Sequence, residues 1–166
     1  MRTLYLLRHA KSSWDDPALP DHERPLAPRG RRDGKRIAEH LRRAGIEPEL
    51  VLCSPAARTR ETLALVQRGW KASTVQVEDE LYGATAEALL QRLRLVPDRV
   101  RSVMLIGHNP GLEALALVLA EAGEELEVLA EKFPTGALAT LEFGAAWSAL
   151  APEGATLAAY VVPKQL

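Results

Sequence analysis

Three short apolar runs limit what this chain can fold into. Thr3–Leu7, Leu50–Cys53 and Ser102–Ile106 each have the length of a strand, and none shows the strict polar–apolar alternation of a half-exposed one. A strand that is apolar at successive positions needs cover on both faces, as in a parallel sheet packed between helices. The intervening segments supply that cover. Ile37, Ala38, Leu41 and Ala44 share one face of a helix over about Gly30–Ala44, with Gly45 placed as its C-cap. Ala56–Arg68 reads as a second helix, stopped near Gly69. Thr85 begins a third, in which Ala86, Leu89, Leu90 and Leu93 recur at i, i+3, i+4 and i+7. Leu112–Ala120 is apolar on nearly every side and reads as a buried helix.

The remaining elements are weaker. Ser12–Arg29 carries Pro17, Pro20 and Pro25 among several acids and reads as a loop. Val75–Val77 is a short strand. Ala137–Phe143 and Thr156–Val162 are strands with no helix between them, which predicts an antiparallel edge. The expected architecture is one domain over residues 1–166, a three-layer α/β/α sandwich on a mainly parallel central sheet with an antiparallel edge.

Composition narrows the partners. A net charge of −1 leaves no electrostatic footprint for nucleic acid or an anionic membrane. No run approaches the roughly 20 apolar residues of a membrane helix, and the N-terminal run is too short and too soon charged for a signal peptide. Cys53 is the only cysteine, so no internal disulfide can form and a cytoplasmic, reducing setting is expected. Arginine outnumbers lysine sixteen to five. That preference suits planar binding of phosphate or carboxylate, although a base-composition or thermal-adaptation bias is the better account of most of these arginines.

Ligands of open parallel sheets lie beyond the carboxyl ends of the strands. There the first run delivers Arg8 and His9, at what reads as a solvent-facing strand end. The second delivers Ser54, Pro55 and then Arg58 at the head of a helix. Glu80 follows the third strand, and Gly107-His108-Asn109-Pro110 follows the fourth. Two imidazoles, two guanidinium groups and a carboxylate converge on one edge of the sheet. A neutral imidazole is a competent nucleophile toward phosphorus when its other nitrogen is held by a hydrogen bond, and fixed arginines can meet the charge on the transferring oxygens. His22 and His40 read as solvent-exposed residues without a role.

Leu6-Leu7-Arg8-His9-Ala10-Lys11-Ser12, Arg24-Pro25-Leu26 with Gly30, Cys53-Ser54-Pro55-Ala56-Ala57-Arg58-Thr59 with Glu61-Thr62, Glu80-Leu81-Tyr82 and Ile106-Gly107-His108-Asn109-Pro110-Gly111 follow one another in order. Together they resemble the histidine phosphatase superfamily, with its phosphoglycerate mutase-like fold, and within it the SixA-type phosphohistidine phosphatases. The resemblance implies that His9 is phosphorylated during turnover, that Arg8, Arg58 and His108 form the phosphate pocket, and that no metal or other cofactor takes part. Ser12 is a further phosphate-binding candidate. Ala10 stands where much of the superfamily has glycine, and Glu80 stands where many relatives place a general acid, at a shorter spacing.

The expected partner is a phosphorylated protein, such as a histidine phosphotransfer domain, or a small phosphoester. With only Pro163–Leu166 after the last strand, little material is available for a lid, which favours an open site and a protein-borne phosphate. A phosphomonoesterase acting on small esters and a phosphohistidine-binding module without turnover are the alternatives, and the presence of His9 speaks against the second. A cysteine-based phosphatase does not fit. That loop needs five residues between cysteine and arginine, whereas Cys53 is followed by Arg58 after four and Arg60 after six.

Overall fold

The computed structural model describes residues Met1–Leu166. Four parallel strands form the centre and one side of the sheet: β1 (Arg2–Arg8), β2 (Leu50–Cys53), β3 (Thr74–Val77) and β4 (Ser102–Gly107). β5 (Ala120–Ala122), β6 (Leu138–Phe143) and β7 (Ala155–Val161) complete the other side, giving the order β3-β2-β4-β1-β6-β7-β5. β6 runs antiparallel to both β1 and β7, and β5 pairs parallel with β7 at the outer margin. The antiparallel part of the sheet is therefore where the two late strands predicted it. β5, three residues without periodicity, extends the sheet one strand beyond it. No helix is long and apolar enough to cross a membrane.

The apolar runs are buried on both faces, and successive side chains divide between two layers. Leu6, Leu52 and Leu105 point to one side, where they meet Leu89 and Leu93 of α3 (Ala86–Arg94) and Leu112 and Leu115 of α4 (Gly111–Leu119). Leu7, Val51, Cys53 and Ile106 point to the other, against Ile37 and Leu41 of α1 (Pro28–Ala44) and Leu63 and Val66 of α2 (Ala57–Val66). β3, by contrast, is an exposed edge strand along its whole length. α1 starts two residues before the predicted boundary, because Pro28 is preorganised for the first helical turn. It ends at Gly45 as read, with φ at 68°, and the Ile46 N–H closes back on the Leu41 carbonyl. One helix between β5 and β6 was not foreseen: α5 (Leu126–Glu131) is too short to show a helical period.

One close approach fixes α1 relative to the site. A Cβ on Gly30 would overlap the carbonyl oxygen of Lys11, so only glycine lets the helix pass against the chain just beyond β1. Gly30→Ala is expected to destabilise the fold by about 1–3 kcal/mol, the range of overpacking in a rigid contact, as read from the midpoint of chemical denaturation. An unchanged midpoint would remove this constraint.

Candidate active site

Register brings the four predicted side chains to one place. Arg8 pairs with Gly107 and Cys53 with Ile106, so the residues that follow, His9, Ser54 and His108, emerge side by side. The His9 N–H bonds the Gly107 carbonyl and the Ser54 N–H bonds the Ile106 carbonyl. The rings of His9 and His108 lie 5.4 Å apart, centroid to centroid. Arg8 is half-buried and donates from Nη1 to the Phe133 carbonyl. Arg58 enters from the first turn of α2 and is buried.

His9 is only 5% exposed, which corrects the expectation of a solvent-facing strand end. The chain turns inward after Arg8 because Gly136 donates its N–H to the His9 and Arg8 carbonyls and Thr62 accepts the Ala10 N–H. His9 Nδ1 lies 2.7 Å from the Ala10 carbonyl oxygen. A carbonyl only accepts, so Nδ1 carries the proton and Nε2 keeps its lone pair. His108 Nε2 lies 2.7 Å from the buried Ser54 hydroxyl, while His108 Nδ1 and Arg8 Nε are buried without a hydrogen-bond partner. Arg8 Nε is a donor, and His108 Nδ1 is one when the Ser54 hydroxyl donates to Nε2; together they suit an acceptor with several oxygens.

The α2 motif makes sense residue by residue. Arg58 reaches the site. Thr59 ties its hydroxyl to the Ser54 and Ala56 carbonyls, Glu61 accepts the Leu26 N–H, and Thr62 bridges the Arg58 carbonyl to the Ala10 N–H. Ala10 is fully buried against Leu26 and Leu65, so its methyl group fits where a glycine would leave space.

Asp21, which sequence reasoning passed over, is the carboxylate that reaches the site. Arg58 donates to its carbonyl at 2.8 Å and to Oδ2 at 2.9 Å, and the Tyr82 hydroxyl donates to the same oxygen. The Tyr82 bond chiefly, with help from Arg58 and Arg24, holds the Asp21 carboxyl well below its usual range. Glu80 is exposed on a short turn, and its negative charge acts on Arg92. Ser12 is buried and its hydroxyl accepts from Arg24. Arg24 also binds Ser13 and Asp21 and stacks over Trp14, with its guanidinium carbon 3.3 Å from the ring centroid. His22 is exposed, as expected, at the edge of Tyr82. Asp21 and Tyr82 could not be found from strand ends, because each arrives on a loop whose path the apolar pattern does not define. Cys53 is fully buried, and burial pushes its thiol up to about 12, so it is no nucleophile.

Both site imidazoles are neutral. Burial lowers His9 to about 3, against the pull of the Ala10 hydrogen bond and with help from His108, Arg58 and Arg8. Burial, then Arg58, lowers His108 to about 4. Unfolded, both would titrate near 6.5, so below that pH the unfolded chain takes up protons that the folded one refuses. The stability tied to this neutral pair is complete above pH 6.5 and is lost as the pH falls toward about 4 for His108 and about 3 for His9. Melting temperature is expected to drop across that window, and the drop should be shallower in His9→Gln, which removes one of the two groups. Equal slopes would contradict the assignment.

The histidine phosphatase superfamily (branch 1) model matches residues 4–89. An uncharacterized protein of Mycobacterium tuberculosis is 38% identical over 162 residues, covering 95% of this chain and 100% of that one. Among solved structures, a candidate phosphohistidine phosphatase SixA from Nakamurella multipartitia superposes with a TM-score of 0.86 at 34% identity, covering 98% of this chain and 96% of that chain. The protein histidine phosphatase SixA complexed with tungstate superposes at 0.79 with 25% identity and covers 98% of each chain. With the strand-end histidines and arginines aligned on one sheet edge, the chain belongs to the histidine phosphatase superfamily and is a SixA-type member of it.

Proposed function

We propose that the protein removes the phosphoryl group from phosphohistidine on another protein, with His9 as the nucleophile. The observation that carries this reading is the state of His9: neutral, with Nδ1 fixed on the Ala10 carbonyl and the Nε2 lone pair beside Arg8, Arg58 and His108. Nε2 forms a bond to phosphorus as the bond from phosphorus to the substrate imidazole breaks, and that imidazole, already protonated on its other ring nitrogen, leaves neutral with the electron pair. Water then attacks phosphorus, the bond to His9 breaks, and inorganic phosphate departs. Arg8 and Arg58 balance the charge on the equatorial oxygens. With the Ser54 hydroxyl donating to Nε2, His108 would offer an Nδ1–H donor to the same oxygens.

The leaving group follows from the carboxylates. An alkoxide needs a proton from a nearby acid as it departs, whereas an imidazole is less basic and can be protonated beforehand. Asp21 is held ionised, and Glu80 lies out by Arg92, so neither is placed as that acid. A second reading has one specific support. A pocket of about 250 Å³ beside His108, lined by Leu81, Ala84, Thr85 and Pro110 among others, could receive the body of a small phosphoester.

Hydrolysis of a phosphohistidine protein and a matched phosphoserine peptide, compared in excess chelator, separates the two readings. Selective loss of the phosphohistidine label is expected. Faster phosphoserine cleavage would favour the small-ester reading, and loss of neither label would leave only a binding module. His9→Gln should lower turnover by roughly a thousandfold or more, the scale seen on removing a nucleophile, without unfolding at pH 7. Asp21→Ala removes the Oδ2 acceptor of the Arg58 guanidinium while leaving the bond to the residue-21 backbone carbonyl, and should reduce kcat/KM roughly 10- to 100-fold, as misplacing a positioning group does. Wild-type kinetics in that variant would show that Arg58 is oriented by something else.

A further inference from the structure

A wide groove outside the phosphate site is strongly basic. It measures about 630 Å³ and runs between α1, the Glu131–Thr135 segment and the C-terminal Val162–Gln165 turn. Arg29, Arg32 and Arg36 line it from one face of α1, at i, i+3 and i+7, and Lys132 and Lys164 line the opposite walls. All five are exposed. Only Asp33 and Glu131 oppose them, an excess of three positive charges on a chain whose net charge is −1. Asp33 pairs loosely, at 3.9 Å with Arg29 and 3.6 Å with Arg36, and Arg32, Lys132 and Lys164 make no ion pair.

Groove and site share a wall. The Phe133 carbonyl accepts from Arg8 and from Asn109, and the Gly136 N–H bonds the His9 and Arg8 carbonyls. Pro134 and Thr135, between these anchors, line the groove. The groove therefore begins across the Phe133–Gly136 segment from Arg8 and His9, next to where a carrier protein would present its phosphoryl group.

We propose that the groove docks an acidic surface of the phosphoprotein substrate, a proposal that takes the phosphohistidine reading of the site as its starting point. Like charges concentrated in a concave surface attract an oppositely charged partner, and they raise its association rate in a salt-dependent way. Nucleic acid fits less well. The only aromatic ring in the lining, Tyr160, is 3% exposed and offers no face for stacking a base.

The test uses the full chain and a triple variant, Arg32→Glu, Arg36→Glu and Lys164→Glu, in which every altered residue is exposed. Binding of a fluorescein-labelled, unphosphorylated Glu-rich peptide is followed by anisotropy, with a Gln-rich peptide and a single-stranded RNA for comparison. Wild type should bind the acidic peptide best, roughly tenfold or more tighter than the variant, and lose this preference near 0.5 M salt, where screening is nearly complete. Equal binding by wild type and variant, or tighter binding of RNA, would overturn the proposal. Turnover supplies a second readout. Phosphohistidine placed in the Glu-rich peptide should be hydrolysed faster than in the Gln-rich one by wild type only, while p-nitrophenyl phosphate is hydrolysed at the same rate by both proteins. A variant that loses p-nitrophenyl phosphate hydrolysis as well would place these residues in the phosphate site and overturn the docking role. If wild type hydrolyses none of the substrates, the phosphatase reading fails, and the anisotropy result still decides for or against the groove.

Discussion

Everything at the site depends on β1 being buried between β4 and β6. Leu4, Leu6 and Leu7 are sealed on both faces, so the strand cannot slip by one residue without turning its apolar set the wrong way. The polar residues that end it have one direction left. They leave the sheet at its carboxyl edge, and the pairing of Arg8 with Gly107 then fixes how far His9 stands from His108. The geometry of the candidate site is a by-product of core packing: the register that buries the leucines is the register that aligns the imidazoles.

A second layer of polar contacts converts that alignment into a shaped site. Thr62 and Gly136 turn the chain inward at His9, and Glu61 and Arg24 hold the long loop that brings Asp21 over Arg58. Each of these groups makes its bond in a buried or half-buried setting, where an unpaired partner would be costly. The positive charges of Arg8 and Arg58 are met by Glu113 and Asp21 respectively, so the site is not a bare cationic hole. It is a partly neutralised one in which two histidines stay unprotonated.

How much of this was legible follows from range. Arg8, His9, Arg58 and His108 could be read because strand ends are local signals, and the topology of a parallel sheet gathers such ends at one edge. Gly45 as a helix cap and Cys53 as a buried hydrophobe were legible for the same reason. Asp21 was not, and of Ser54 and Tyr82 only their places in the motifs were, since the bonds that tie them to His108 and Asp21 join residues far apart along the chain. Ser12 was read from its nearness to His9 in sequence; that its hydroxyl also accepts from Arg24 was not legible, because Arg24 returns from the far end of the loop. The burial of His9 was missed because apolar periodicity stops at Leu7 and says nothing of how the chain bends next.

The loop that follows β1 is closed at its base. Ser12 bridges to Leu26, the Ser13 N–H bonds the Pro25 carbonyl, and the Ala27 N–H bonds the Lys11 carbonyl. Above that clasp, Trp14 to Ala18 is exposed. Lengthening a closed loop adds little entropy, about 0.6 kcal/mol for each doubling. Residues inserted between Trp14 and Ala18 therefore leave the clasp, and the histidines below it, where they are. Length variation can accumulate at that tip while the clasp and the histidines beneath it stay in place.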